Sequence, residues 1–211
     1  MTITKFGHCC LLIEEGRLRI LLDPGNLSEG QNSLANIDVV LITHEHQDHC
    51  HTDSVKEVVR NNPGVKIYTN TSVVELLKKE GVVAERLEDG MSVEEKGVLI
   101  EGFGKDHALM HASWPTAHNV GYFIANRFFY PGDSFTNPGK SIEVLALPVA
   151  GPWMKLTEAI DYALALKPKT SFPVHEGILK TPGSTHLLPS RILPPAGVPF
   201  QILEIGQKYE F

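Results

Sequence analysis

The stretch "IDVVLITHEHQDHCHTD" (37–53) runs an uninterrupted apolar segment straight into four histidines, with Glu45, Asp48 and Asp53 among them. A continuous apolar run of this length reads as a strand buried on both faces of a sheet. The histidines therefore begin where a buried strand ends. His44, His46, Asp48 and His49 form H-x-H-x-D-H, which is not the helical H-E-x-x-H protease motif, because Asp48 stands where that motif needs its second histidine. A turn must present these side chains. Imidazole suits zinc, and a carboxylate widens the choice to manganese or iron. Two histidines two residues apart can grip one ion, and the Asp48-His49 pair that follows can reach a second.

Around this stretch lies a chain of 211 residues with 42% apolar composition, enough for one sizeable core, so one domain over 1–211 is expected. Nineteen basic against 25 acidic residues leave a net charge of −6, with no run of basic residues. That argues against nucleic acid or an anionic membrane as the main partner. The start "MTITKFGHCC" lacks the basic and long apolar regions of a signal peptide, and the apolar stretches are strand-sized. Cys9, Cys10 and Cys50 are odd in number and contain no C-x-x-C, which fits a reducing cytoplasm better than a disulfide framework.

Strands are expected at "TITKF", "CCLLIEE" and "RLRILLD" before the breaker Pro24-Gly25, then at "IDVVLIT". Capping-box spacing at Ser54/Glu57 and at Ser72/Glu75 predicts two helices flanking the strand "VKIYT". From 82 to 130 strands return, the last two joined by a tight turn at Ala125-Asn126. "VLALPV", a helix over about 155–167, "TSFPVH", a loop at 187–199 and a last strand "FQILEI" complete the chain. This order suits an α/β fold in which two sheets stack with helices packed outside.

Several landmarks together resemble the metallo-β-lactamase superfamily of binuclear metallohydrolases: "FGHCCLLIEEGRLRILLDPG" (6–25) with Asp23 at a strand end, "THEHQDH", "YPGDSF" (130–135) and "PVHEG" (173–177). They stand in the superfamily's order across residues 6–177, and the chain is similar to its compact group that includes L-ascorbate-6-phosphate lactonase. The resemblance implies a four-layer αββα sandwich of two mixed β-sheets with helices on the outer faces. It also implies two divalent ions, zinc foremost with manganese or iron as alternatives: His44 and His46 on the first with one further histidine, Asp48, His49 and His175 on the second, and Asp133 bridging. The further histidine is open in "GFGKDHALMHASWPTAHNVGY" (102–122), where His107 comes first after a strand and His111 follows four residues later. His118 reads as a loop residue, and Glu45, Cys50, His51 and Asp53 as bystanders. His8 is either a support of the site or a buried histidine bonded to backbone. Trp114 and Trp153 are candidates to line a pocket, and Lys105, Lys155, Lys180 and Arg191 to hold an anion.

Hydrolysis follows as the reaction class, with a metal-bound hydroxide attacking a small ester, lactone or phosphoester and Asp48 orienting or deprotonating the water. The alternatives are a phosphodiesterase or nuclease of the same superfamily, disfavoured by the acidic charge, and a non-catalytic metal-binding regulatory module, disfavoured by the full ligand set. Diiron electron-transfer relatives replace one signature histidine by glutamate, whereas His46 is present here. Substrate, native metal and oligomeric state are left open.

Overall fold

The computed structural model describes residues 1–211. In chain order the elements are β1 (Thr2–Lys5), β2 (Leu11–Glu15), β3 (Leu18–Leu22), β4 (Val39–Ile42), α1 (Thr52–Asn61), β5 (Lys66–Thr69), α2 (Thr71–Lys79), β6 (Glu85–Arg86), β7 (Ser92–Glu95), β8 (Val98–Phe103), β9 (Gly121–Ile124), β10 (Phe128–Tyr130), β11 (Val144–Pro148), α3 (Leu156–Leu166), β12 (Thr170–Val174), α4 (Leu187–Ile192) and β13 (Lys208–Glu210).

One sheet has the order β13-β1-β2-β3-β4-β5-β6, the other β12-β11-β10-β9-β8-β7. Both are mixed. β1, β2 and β3 meander antiparallel while β3 to β6 run parallel; β7 to β10 are antiparallel while β10, β11 and β12 run parallel. Strand alternation splits the apolar residues between two jobs. Leu18, Ile20 and Leu22 of β3, Val39 and Leu41 of β4, Phe128 and Tyr130 of β10 and Phe172 of β12 meet between the sheets. Leu21, Val40 and Ile42 face outward under Val55, Val58, Val73 and Leu77 of α1 and α2. Phe129, Leu145 and Leu147 do the same under Ala159, Ile160 and Ala163 of α3. The result is the expected four-layer αββα sandwich. β4 is buried along its whole length because each of its faces meets a different layer.

Local expectations fared unevenly. Ala125 and Asn126, both with φ 55°, make the tight turn between β9 and β10, and the helix expected over about 155–167 is α3. Neither Ser/Glu pair makes a capping box. α1 starts three residues earlier, with His51 as N-cap, and α2 is capped by the Asn70 side chain, which accepts from Val73 N. Asn70 wins because its amide also donates to Thr43 O, tying the helix start to the end of β4. Residues 187–199 are not a plain loop but contain α4, whose Pro189 sits in the first turn where its missing N–H is no loss. "FQILEI" is not a strand: it makes one bridge, Phe200 to Ser171, and Leu203 then turns into the core between the sheets. The last strand is β13, paired with β1. No helix is long and apolar enough to cross a membrane.

A buried ion pair closes the sandwich near the chain's two ends. Lys5, 2% exposed, donates to Glu176, 7% exposed, and to Pro173 O at 2.7 Å. Burial alone would raise the Glu176 carboxyl, but His186 and Lys5 outweigh it and hold the group at about 2. Glu176 therefore stabilises the fold fully above the ordinary carboxylate range, and that contribution is lost as the pH falls towards 2. Lys5→Met, which leaves the buried carboxylate with His186 as its remaining partner at 3.4 Å, is expected to cost about 3 kcal/mol in urea denaturation at pH 7, and less as the pH approaches 2.

Candidate metal centre

Strands from both sheets end at one edge of the sandwich, and the polar residues that follow them converge there. The 44–49 segment follows β4, His107 follows β8, Asp133 follows β10 and His175 follows β12. The 44–49 segment is a turn, with the amides of His49 and Cys50 both bonded to His46 O at 2.9 and 2.7 Å. It packs so closely on Pro24-Gly25 that a Cβ at Gly25 would lie 1.8 Å from Asp48 O, which requires glycine there.

Donor atoms of His44, His46, His107 and Asp133 lie within 4.8 Å of one another. His44 Nε2 is 3.0 Å from His46 Nδ1. A second group lies beside it around His49 and His175, with His8 and Cys9 also within 4.8 Å. Asp48 Oδ2 is 3.9 Å from His49 Nε2 and 3.7 Å from His175 Nε2. Between the groups stands Asp133: Oδ1 is 3.2 Å from His49 Nε2, and Oδ2 is 2.8 Å from His175 Nε2, 3.3 Å from His107 Nε2 and 3.9 Å from His44 Nε2. Trp153 Nε1 donates to Asp133 Oδ2 at 2.9 Å.

The outer atoms of these rings are held by partners that fix the tautomers. Asp23 Oδ2 accepts from His49 Nδ1 at 2.7 Å, from Thr43 Oγ1 at 2.8 Å and from Tyr130 Oη at 2.8 Å. Because the Thr43 hydroxyl proton goes to Asp23, Thr43 Oγ1 accepts from His44 Nδ1 at 3.0 Å. His107 Nδ1 donates to Ala108 O at 2.6 Å. In the neutral His44 and His107 rings Nε2 is thereby left without a proton and turned to the centre, and His49 turns its Nε2 there as well, 3.2 Å from Asp133 Oδ1. Burial holds the His44 imidazole well below its ordinary range, and burial with the neighbouring His107 lowers His46. Burial would push the Asp133 carboxyl up, but His49 and His175 hold it well below the usual carboxylate range. Asp48 is likewise held low, against its burial, by the hydrogen bond from His8 and by His49. The lowered His44 and His46 imidazoles and the ionised carboxylates are in the states a divalent cation requires, whereas Cys9, Asp133 and Asp23 push His49 well up against its burial, so a cation there displaces a proton.

These residues fit such a cation. His49 Nε2, His107 Nε2, His175 Nε2 and Asp133 Oδ1 are buried and lack hydrogen-bond partners. One such orphan costs about 1–3 kcal/mol, and four of them gathered in two adjoining groups are the signature of missing partners.

Of the residues singled out in the sequence, His44, His46, Asp48, His49, His107, Asp133 and His175 are brought together. His111 is not. It is exposed and spends Nδ1 on Ser113, because the chain turns outward after Ala108 N bonds to Asp133 O. Trp114 is also exposed, at 63%, whereas Trp153 is buried and bound to Asp133. Lys105 pairs with Asp89 at 3.6 Å, and His118 joins a bridge to Asp106. Thr43, Tyr130 and Cys9 were missed, and Asp23 had been noticed without a role. An aspartate ending an apolar strand before Pro-Gly is the one signal that pointed to it.

Asp23→Asn should preserve the fold less well than its size suggests, since an amide NH₂ must face one of four donors. Metal affinity is expected to fall about 10–100-fold, read by chelator competition.

The match to known proteins agrees with this geometry. A family model described as "Beta-lactamase superfamily domain" matches residues 2–175. Protein Rv0786c of Mycobacterium tuberculosis is 33% identical over 208 residues, which cover 96% of each chain. A UPF0173 metal-dependent hydrolase of Thermoplasma volcanium is 27% identical over 185 residues, 80% of each chain. Igni18, a metallo hydrolase from the archaeon Ignicoccus hospitalis, has the same fold, with a TM-score of 0.77 at 21% identity over 100% of this chain and 98% of its own. The chain belongs to the β-lactamase superfamily, as one of its metal-dependent hydrolases.

Proposed function

We propose that the centre holds two divalent ions and hydrolyses a small ester, lactone or phosphoester. His44, His46 and His107 hold the first ion, Asp48, His49 and His175 the second, and Asp133 bridges them. The observation that carries this reading is the place of Asp133, whose carboxylate lies within 3.9 Å of imidazole nitrogens from both groups. Nitrogen donors from five histidines favour zinc over harder ions.

Bound divalent ions supply Lewis acidity, lowering the pKa of water to about 7 and polarising a carbonyl or phosphoryl oxygen. The chain's own residues supply the rest. The Asp48 side chain, 24% exposed, and half-buried His46 are the parts of the centre that solvent reaches, so substrate approaches across them. Asp48, held ionised by its surroundings, accepts a hydrogen bond from the attacking water and orients it. Trp153 keeps Asp133 from rotating out of the centre. Glu45 accepts no such role, since it lies on the far side of the turn beside Cys50 and His51. The three cysteines are buried free thiols, which suits a reducing compartment.

The parent protein, prepared without chelator, is expected to carry two ions per chain by elemental analysis and to cleave generic ester, lactone or phosphodiester substrates. Chelation should abolish turnover and zinc restore it, while Asp133→Ala should lower it at least about a hundredfold. Full activity in Asp133→Ala, or less than one ion per parent chain, overturns the reading.

A further inference from the structure

Four of the buried donors that face the centre have an identified holder, and Asp48, the most exposed of the carboxylates there, is not among them. His49 is held by Asp23, His44 by Thr43, His107 by the Ala108 carbonyl and Asp133 by Trp153. The group in reach of Asp48 is His8, in the connection between β1 and β2, fully buried. By distance alone His8 passes for a metal ligand, since its ring nitrogen lies within 4.8 Å of donors from Cys9, His49 and His175. Its hydrogen bonds exclude that role.

Gly177 N donates to His8 Nδ1 at 3.0 Å. A backbone amide can only donate, so Nδ1 carries its lone pair there and the proton of the neutral ring is on Nε2. That Nε2 faces Asp48 Oδ2 at 3.2 Å. Both nitrogens are thereby committed, and no lone pair remains for an ion. The ring is also clamped from outside: His175 N donates to His8 O at 3.1 Å, and a Cβ on Gly177 would come within 2.8 Å of His8 Cβ. Only glycine lets the 175–177 backbone approach closely enough to set the tautomer.

We propose that His8 is a positioning residue, a relay from the Gly177 amide that holds the Asp48 carboxylate against the second ion and does not itself bind metal. The proposal rests on the binuclear reading above. It predicts that the two nitrogens are separable. Glutamine places its amide near Nε2 and retains a donor for Asp48; asparagine places its amide near Nδ1, satisfies Gly177 N and leaves Asp48 unheld.

The test is zinc titration of the metal-free parent, His8→Gln and His8→Asn by calorimetry with chelator competition, with thermal melting of each metal-free form alongside. The expected result is a parent binding two ions, His8→Asn losing about 10–100-fold in affinity for one of them only, and His8→Gln staying within about fivefold of the parent. Two ions bound with parental affinity by His8→Asn would overturn the positioning role alone. A loss in His8→Gln as large as in His8→Asn would show that ring packing, not the donor, matters, and would also overturn it. A parent that binds a single ion would overturn the binuclear reading and this inference together. Should His8→Asn melt too low to titrate, Gly177→Ala, which displaces the ring without removing it, is expected to show the same selective loss, and parental affinity there would count against the relay.

Discussion

The buried Asp23 carboxylate organises the edge on which everything else is built. It ends β3 in one sheet, accepts from the Thr43 amide and hydroxyl at the end of β4, and accepts from Tyr130 at the end of β10 in the other sheet. A fully buried charge costs several kcal/mol unless its lone pairs are filled. Four donors, including His49 Nδ1, fill them. Because they come from both sheets, the same contacts that offset the desolvation of one carboxylate also set the stagger of the strand ends. The backbone at Asp23 carries φ 43° and that at His175 φ 70°, so two non-glycine residues at this edge sit in the left-handed region. Strain of about 1–3 kcal/mol each is tolerated where the surroundings over-determine the conformation, as at binding sites.

Packing and chemistry are coupled through this edge. The core between the sheets brings Phe128 and Tyr130 against β3 and β4, and one residue of that core, Tyr130, is also a hydrogen-bond donor to the polar cluster. Beyond the apolar layer, five imidazoles and two carboxylates are crowded together, most of them buried. Such a cluster would be costly as a bare set of polar groups, and its ionised carboxylates and the lowered His44 and His46 imidazoles match what a cation demands.

Much of the fold was legible because its signals are local and repetitive. The double-sided burial of β4, the turn that presents His44 to His49, the Ala125-Asn126 hairpin and α3 all follow from periodicity, run length and turn chemistry. The helix starts were misread because a Ser-x-x-Glu spacing offers only a local bond, whereas Asn70 gains a cap and a tertiary bond to Thr43 O together. "FQILEI" has the alternation of a strand, yet it makes only one bridge, to the edge strand β12 at Ser171, before Leu203 turns into the core. His107 and His111 could not be separated in sequence, since both follow the same strand; the Ala108 to Asp133 backbone bond turns one in and the other out.

By itself the sequence determined most of the element types up to β12, the two-sheet arrangement and the pool of metal-binding side chains, because these depend on short-range patterning and on residue chemistry. Only the tertiary structure decided which donors share a point in space, which ring nitrogen each histidine presents, and that His8 faces Asp48 while Trp153 faces Asp133. Those outcomes depend on where distant strand ends meet. The carboxylate at 23 and the tyrosine at 130 meet across more than a hundred residues of chain, and the tryptophan at 153 reaches Asp133 from a different strand end; none carries a local mark of its partner.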